Sequence, residues 1–238
     1  MANDYFQFRQ FSVRQSQCAM KVGTDGTLLG AWAQATGGPC RILDIGTGTG
    51  LIALMMAQRY PEAMVVGIDI DKDAVEQATM NVKESPFAER IRIVHGDVNN
   101  MMLEYPFDTI VSNPPYFMSQ SSMKSPNLSR CMARQTSTLD FCKLVKAGCR
   151  MMKPEGILSV VIPIEGYGHM AHEALLSGFY ASRICRIRTT PNKVAKRILI
   201  EFRQSPKFET DTDEEILEIE PGVRSQWYQE LTQAFYIK

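Results

Sequence analysis

The chain has six cysteines, at 18, 40, 131, 142, 149 and 185, but no Cys-x-x-Cys pair and no zinc-like spacing. They read as reduced thiols, which argues against a disulfide scaffold or a metal module and for a cytoplasmic setting. Long apolar runs are absent as well. None approaches the roughly eighteen residues of a membrane span, and the charged stretch 1–10 lacks the apolar centre of an export signal. Net charge is missing: 26 Lys and Arg balance 26 Asp and Glu. A nucleic-acid partner would have to be held by local charge and not by the sum. Nor does any repeat or low-complexity linker divide the chain. Its 238 residues, 45% of them hydrophobic, suffice for the core of a single α/β domain, with 1–37 as an N-terminal extension, 38–203 as the sheet and 204–238 as a tail.

What is present is concentrated in two places. The first is Asn113-Pro114-Pro115-Tyr116, closing the β-prone run Phe107-Asp108-Thr109-Ile110-Val111-Ser112. Two prolines have fixed φ and no N–H, so the chain must leave the sheet there as a stiff extended turn. Ligands of open α/β sheets bind at that edge. A planar amine, such as an adenine or glutamine NH₂, is a poor nucleophile because its lone pair is delocalised. Acceptors on its two hydrogens, the Asn113 side-chain oxygen and the Pro114 carbonyl, would favour a pyramidal nitrogen and stabilise the positive charge that methylation develops. Tyr116 would add a stacking face worth about 1–3 kcal/mol for a base.

The second is the turn Asp44-Ile45-Gly46-Thr47-Gly48-Thr49-Gly50, between a short buried strand, 41–45, and a helix, 51–59. Glycine there permits positive φ and close approach to a ligand. The spacing is not the dinucleotide fingerprint, whose sixth place is here Leu51. An acid before the turn, Asp44, suits a ligand with an ammonium and a sulfonium better than a pyrophosphate, and S-adenosyl-L-methionine is such a ligand. Asp69 ends the next strand, 64–68, where an acid can receive two ribose hydroxyls. Asp71 is placed to cap the helix 72–83. Asp97 follows the strand 91–95 and could accept the cofactor's adenine amine, with a neighbouring backbone N–H, that of Val98, on a ring nitrogen.

With these motifs in order over about 38–203, the chain resembles the Rossmann-like class I S-adenosylmethionine-dependent methyltransferases. The stretches Phe8-Arg9-Gln10-Phe11-Ser12-Val13 and 18–32, containing Lys21-Val22-Gly23-Thr24-Asp25, make it similar to the bacterial tRNA1(Val) adenine N(6)-methyltransferase family. The resemblance implies an α/β fold with a seven-stranded, mostly parallel sheet whose last strand is reversed and helices on both faces. It implies a tRNA substrate methylated at the adenosine 3′ of the anticodon, with no membrane partner, no metal and a monomeric enzyme. It would assign Asp44, Gly46, Gly48, Asp69, Asp97, Val98 and Asn113 to the cofactor, Asn113, Pro114 and Tyr116 to the target base, and Lys21, Thr24 and Asp25 to the side of the cofactor pocket. Thr24 or Asp25 also reads as a helix cap before Leu28-Leu29.

The remaining pattern continues the fold. A helix is expected over 139–152, a buried strand over 157–162, a helix from about 169 to 176, and strands over 182–189 and 197–203. The tail is acidic from Glu209 through Glu220 and ends in an amphipathic helix with Trp227, Leu231 and Phe235. Arg183, Arg186, Arg188, Lys193, Lys196 and Arg197 stand in one stretch with no acid among them, and Lys124, Arg130 and Arg134 follow the reaction centre. RNA contacts are expected from Lys124, Arg130, Arg134, Lys193, Lys196 and Arg197, against the alternative of solvated loop charges. The polar segment 117–135 is placed to act as a substrate-binding cap. A release-factor glutamine methyltransferase, and a non-catalytic RNA-binding protein on the same scaffold, stay open beside the tRNA enzyme.

Overall fold

The computed structural model describes residues 4–16, 18, 21–115 and 140–237. The chain begins with a hairpin, β1 (Tyr5–Gln7) and β2 (Ser12–Arg14), followed by α1 (Thr24–Trp32). Then come β3 (Arg41–Ile45), α2 (Leu51–Arg59), β4 (Met64–Asp69), α3 (Lys72–Lys83), β5 (Ile91–His95) and β6 (Phe107–Ser112). Beyond 140 lie α4 (Phe141–Met151), β7 (Met152–Pro163), α5 (Tyr167–Leu176), β8 (Tyr180–Arg188), β9 (Arg197–Arg203) and β10 (Asp211–Ile216). A two-stranded pair, β11 (Glu218–Glu220) and β12 (Val223–Arg224), leads into α6 (Gln226–Thr232).

Among the described residues β3 to β10 make one sheet in the order β10-β8-β9-β7-β6-β3-β4-β5, with β9 alone antiparallel to its neighbours. The central strands alternate between two cores, as strands covered on both faces must. Ile42, Val65, Val111, Val161 and Leu199 face α1, α2 and the C-terminal aromatics, while Leu43, Ile45, Ile110, Val160 and Ile200 face α4 and α5.

Three expectations are corrected. The sheet has eight strands, not seven, because the acidic tail supplies β10. Asp-Thr-Asp-Glu-Glu is a poor strand former, but it lies at an edge beside arginine-bearing β8, with Glu214 in register with Arg186 and bridging to Arg188 at 3.0 Å. The basic stretch is therefore opposed by acids from outside it. β7 starts at Met152, not Ile157. Its pairing with β6 jumps from Phe107↔Met152 to Thr109↔Ile157, so Pro154-Glu155-Gly156 forms a bulge within the strand, where proline is tolerated. Finally, α1 is capped by Gly23 without a side-chain bond, so neither Thr24 nor Asp25 is a cap. Asp71 does cap α3, accepting the Asp73 N–H.

Candidate active site

The strand register lines up the C-terminal ends of four parallel strands. Ile45 stands opposite Ile68 and Ser112, Asp69 opposite His95, and Ser112 opposite Val160. At this edge the buried Ser112 hydroxyl donates to the Ile45 carbonyl at 2.8 Å. Asn113-Pro114 therefore leaves the sheet beside the glycine turn, with Pro114 buried and Asn113 half-buried.

In that turn Gly46, Gly48 and Gly50 have φ of 71°, 55° and 81°, a region costly for other residues. Among the described residues nothing lies within 4 Å of a Cβ built on Gly46 or Gly48, so space is open above the backbone. Gly50 is the N-cap of α2 and offers no side chain. Asp44 takes that task from the adjacent strand. Its Oδ2 accepts the Ala53 N–H at 3.1 Å and the Thr47 hydroxyl at 2.7 Å. Gly67, in register with Asp44, must be glycine because a Cβ there would stand 2.7 Å from the Thr47 hydroxyl oxygen. Asp44 is wholly buried and its Oδ1 has no hydrogen-bond partner. Burial, against the two donated bonds, pushes its carboxyl up to about 7, and the charge of Asp69 adds to the rise.

Asp69 joins the end of β4 to the glycine turn. Its Oδ2 accepts the Gly48 N–H at 2.8 Å and its Oδ1 the Asp71 N–H at 3.0 Å. Burial raises its carboxyl above the ordinary range, opposed by those backbone donors. Each oxygen keeps a further lone pair for a ligand. Asp97 is held by Asn99 and Asn100: Oδ1 accepts the Asn99 backbone and side-chain N–H at 2.9 and 2.6 Å, and Oδ2 accepts Asn100 Nδ2 at 3.0 Å. Val98 beside it is buried.

The N-terminal extension packs against this region. Asn81 of α3 donates to the Arg14 and Thr49 carbonyls and accepts the Arg14 N–H, stitching β2 to the glycine turn. Burial and the charges of Asp69 at the end of β4 and of Asp71 and Asp73 at the start of α3 push the Cys18 thiol up to about 12. A Cβ on Gly26 would touch Leu51, which sets the start of α1 against the start of α2. Lys21 and Thr24 are exposed there. Asp25 and Arg197, expected in separate roles, are bound to each other: Arg197 Nε donates to Asp25 Oδ2 at 2.7 Å.

Lys193 and Lys196 are exposed on the β8–β9 loop. Tyr116, Lys124, Arg130, Arg134 and the segment 117–135 lie outside the described residues. Thr47, Ser112 and Asn81 went unread in the sequence. Thr47 had a signal, a hydroxyl between two glycines three residues after an acid. Ser112 and Asn81 act over 67 and 32 residues and had none.

The donor set fits S-adenosylmethionine. An unpartnered buried carboxylate oxygen suits a cationic ligand, the open backbone of Gly46 and Gly48 admits close approach, and Asp69 retains acceptor capacity. Among the described residues no group of three or more His, Cys, Asp or Glu is arranged to hold a metal, and no helix is long and apolar enough to cross a membrane.

Residues 26–176 match the family model of the methyltransferase small domain. A tRNA1(Val) (adenine(37)-N6)-methyltransferase of Phocaeicola vulgatus is 46% identical, covering 100% of this chain and 99% of its own. The enzyme of the same name from Porphyromonas gingivalis is 44% identical, covering 99% and 96%. Among solved structures, a predicted O-methyltransferase from Agrobacterium tumefaciens superposes with a TM-score of 0.69 at 20% identity, over 89% of this chain and 96% of its own, and shares the fold. Full-length similarity at this level, with the family model spanning the glycine turn and the Asn-Pro-Pro strand end, means that the chain belongs to the tRNA1(Val) (adenine(37)-N6)-methyltransferase family of S-adenosylmethionine-dependent enzymes.

Proposed function

We infer that the protein methylates the exocyclic amine of an adenosine in tRNA, the adenosine 3′ of the anticodon in tRNA(Val), acting in the cytoplasm. The observation that carries this reading is the Ser112 to Ile45 clasp, which joins the Asn113-Pro114 turn to the cofactor edge at a fixed strand register. S-adenosylmethionine, when bound, supplies an electrophilic methyl group on a sulfonium. Asp44, Gly46, Gly48, Asp69, Asp97 and Val98 would hold it, with Lys21 and Thr24 at the rim beside the start of α1.

The Asn113 side-chain oxygen and the Pro114 carbonyl would each accept one hydrogen of the adenine amine. That arrangement turns the nitrogen lone pair out of conjugation and stabilises the positive charge it acquires. Proline suits the task, since its fixed φ holds the carbonyl in place without an induced-fit cost. Tyr116 would stack on the base.

The test is an unmodified tRNA(Val) transcript incubated with the protein and S-adenosylmethionine, then digested to nucleosides for mass spectrometry. N6-methyladenosine mapped next to the anticodon is expected. Unchanged transcript, together with methylated glutamine in a release factor supplied in parallel, would transfer the activity to a protein amide.

A further inference from the structure

The structure sorts the cations near β8 and β9 into two groups. Arg183 lies over the Trp32 ring at 3.7 Å and bridges to Glu201 at 3.6 Å, Arg188 bridges to Glu214 at 3.0 Å, and Arg197 to Asp25 at 2.7 Å. These three charges are answered within the fold. Among the described residues Arg186, Lys193 and Lys196 have no carboxylate partner. Arg186 and Lys193 line one feature, a cleft of about 510 Å³ bordered also by Arg188 and Glu214 with Ile164 on one side; Lys196 is exposed on the same loop, outside that lining.

The cleft is a fixed feature of the sheet edge. Arg188 braces its wall by donating to the Pro191 carbonyl at 2.7 Å. The Lys193 N–H bonds the Thr190 carbonyl at 3.1 Å, the Lys196 N–H the Ile187 carbonyl at 3.0 Å, and the Lys196 carbonyl accepts the Ile164 N–H at 3.2 Å. The last bond ties the loop to the end of β7, so the cleft opens at the edge where Asn113 leaves β6. From β8 to β6 the order is β8-β9-β7-β6, three strand spacings, or about 14 Å.

We propose that this cleft is a subsite for the RNA phosphate backbone, with Arg186 and Lys193 as its cations and Lys196 beside it on the same loop, engaging the strand a few nucleotides from the base at Asn113. The proposal rests on the tRNA reading and gives it a register: the base enters at β6 and the backbone runs over β7 and β9 to the β8–β9 loop. Guanidinium and ammonium groups held in one concave place are what phosphates bind. Glu214 stays engaged with Arg188 and fixes the floor. Arg197 drops out of the RNA set because its charge is already met.

The experiment measures binding of the full chain to a fluorescently labelled, unmodified tRNA(Val) transcript across a range of salt concentrations. The Arg186→Ala/Lys193→Ala/Lys196→Ala variant should lower the steepness of log affinity against log salt by about two units, while S-adenosylmethionine affinity by calorimetry is unchanged. A control variant, Lys83→Ala/Lys146→Ala, away from this edge, should keep the wild-type slope. If the triple variant melts earlier than wild type, Lys193→Glu alone, on the exposed loop, serves in its place and should flatten the slope by about 0.7–0.9. A wild-type slope in both variants, from a protein that still methylates the transcript, overturns the cleft and leaves the tRNA reading standing. A wild-type protein that neither binds nor methylates the transcript overturns both.

Discussion

Asp69 at the end of β4 accepts the backbone N–H of Gly48 in the glycine turn at 2.8 Å, across 21 residues of sequence. The acid expected to meet a ribose thus also fixes the loop that lies against the ligand. Its second oxygen holds the Asp71 N–H, so Asp69 spans the turn and the start of α3 at once.

Replacing Asp69 by Ala should therefore weaken S-adenosylmethionine binding about ten- to a hundredfold, the effect of losing hydrogen bonds to a charged acceptor. It should also lower the melting temperature of the ligand-free protein modestly, because the half-buried Gly48 N–H and the exposed Asp71 N–H lose their acceptor. Calorimetry and a melting curve on one preparation read both effects. A folded variant with wild-type affinity removes Asp69 from the cofactor site.

Asn113 differs in where its effect should appear. Asn113→Ala is expected to reduce kcat by about 10²–10³, as loss of one preorganised polar group does, while cofactor affinity stays nearly unchanged. Single-turnover methylation of the transcript isolates that step. Turnover within a fewfold of wild type would exclude Asn113 from the chemistry.

The parts of this architecture that read correctly from sequence are those set by local pattern. Arg41–Ile45, Ile91–His95 and Phe107–Ser112 are short apolar runs bounded by turn residues, and the strands fall where those runs do. Leu51–Arg59 follows its glycine turn and Lys72–Lys83 its aspartate cap in the same way. What escaped is set by distant partners. β10 is a strand because β8 offers it an edge with arginines, not because Asp-Thr-Asp-Glu-Glu favours extension. The Asp25 to Arg197 pair joins residues 172 apart, so each looked available for a ligand when read alone.

That pair gives the third prediction. Arg197→Ala and Asp25→Asn should each cost about 1 kcal/mol in denaturant unfolding, a modest value because both side chains are partly exposed. The double variant should cost little more than either single one, since the same contact is lost. Strict additivity would show that the two groups do not interact in solution.

The last prediction concerns pH. Burial holds the Asp44 carboxyl at about 7 in the folded chain, against 3.8 for the free group. Between those values the folded state keeps a proton that the unfolded state has released, so stability must fall as pH rises through that window and level off above it. Asp69, also raised by burial, acts in the same direction. The Asp44 shift corresponds to roughly 4 kcal/mol at most, at about 1.4 kcal/mol per unit. Asp44→Asn should reduce that dependence, because its amide oxygen can still accept from Thr47 and Ala53 while its NH₂ takes the place of the unpartnered Oδ1. Melting curves of the ligand-free proteins should therefore show wild type losing stability relative to Asp44→Asn from about pH 4 to about pH 7 and no further loss above that. A bound cation beside Asp44 favours its ionised form, so cofactor binding to wild type near pH 6 should release a proton. That release appears as a binding enthalpy that changes with the ionisation heat of the buffer, and Asp44→Asn should show less of it. Wild type gaining stability relative to Asp44→Asn over the same range would mean that the carboxylate is charged and satisfied in the empty site.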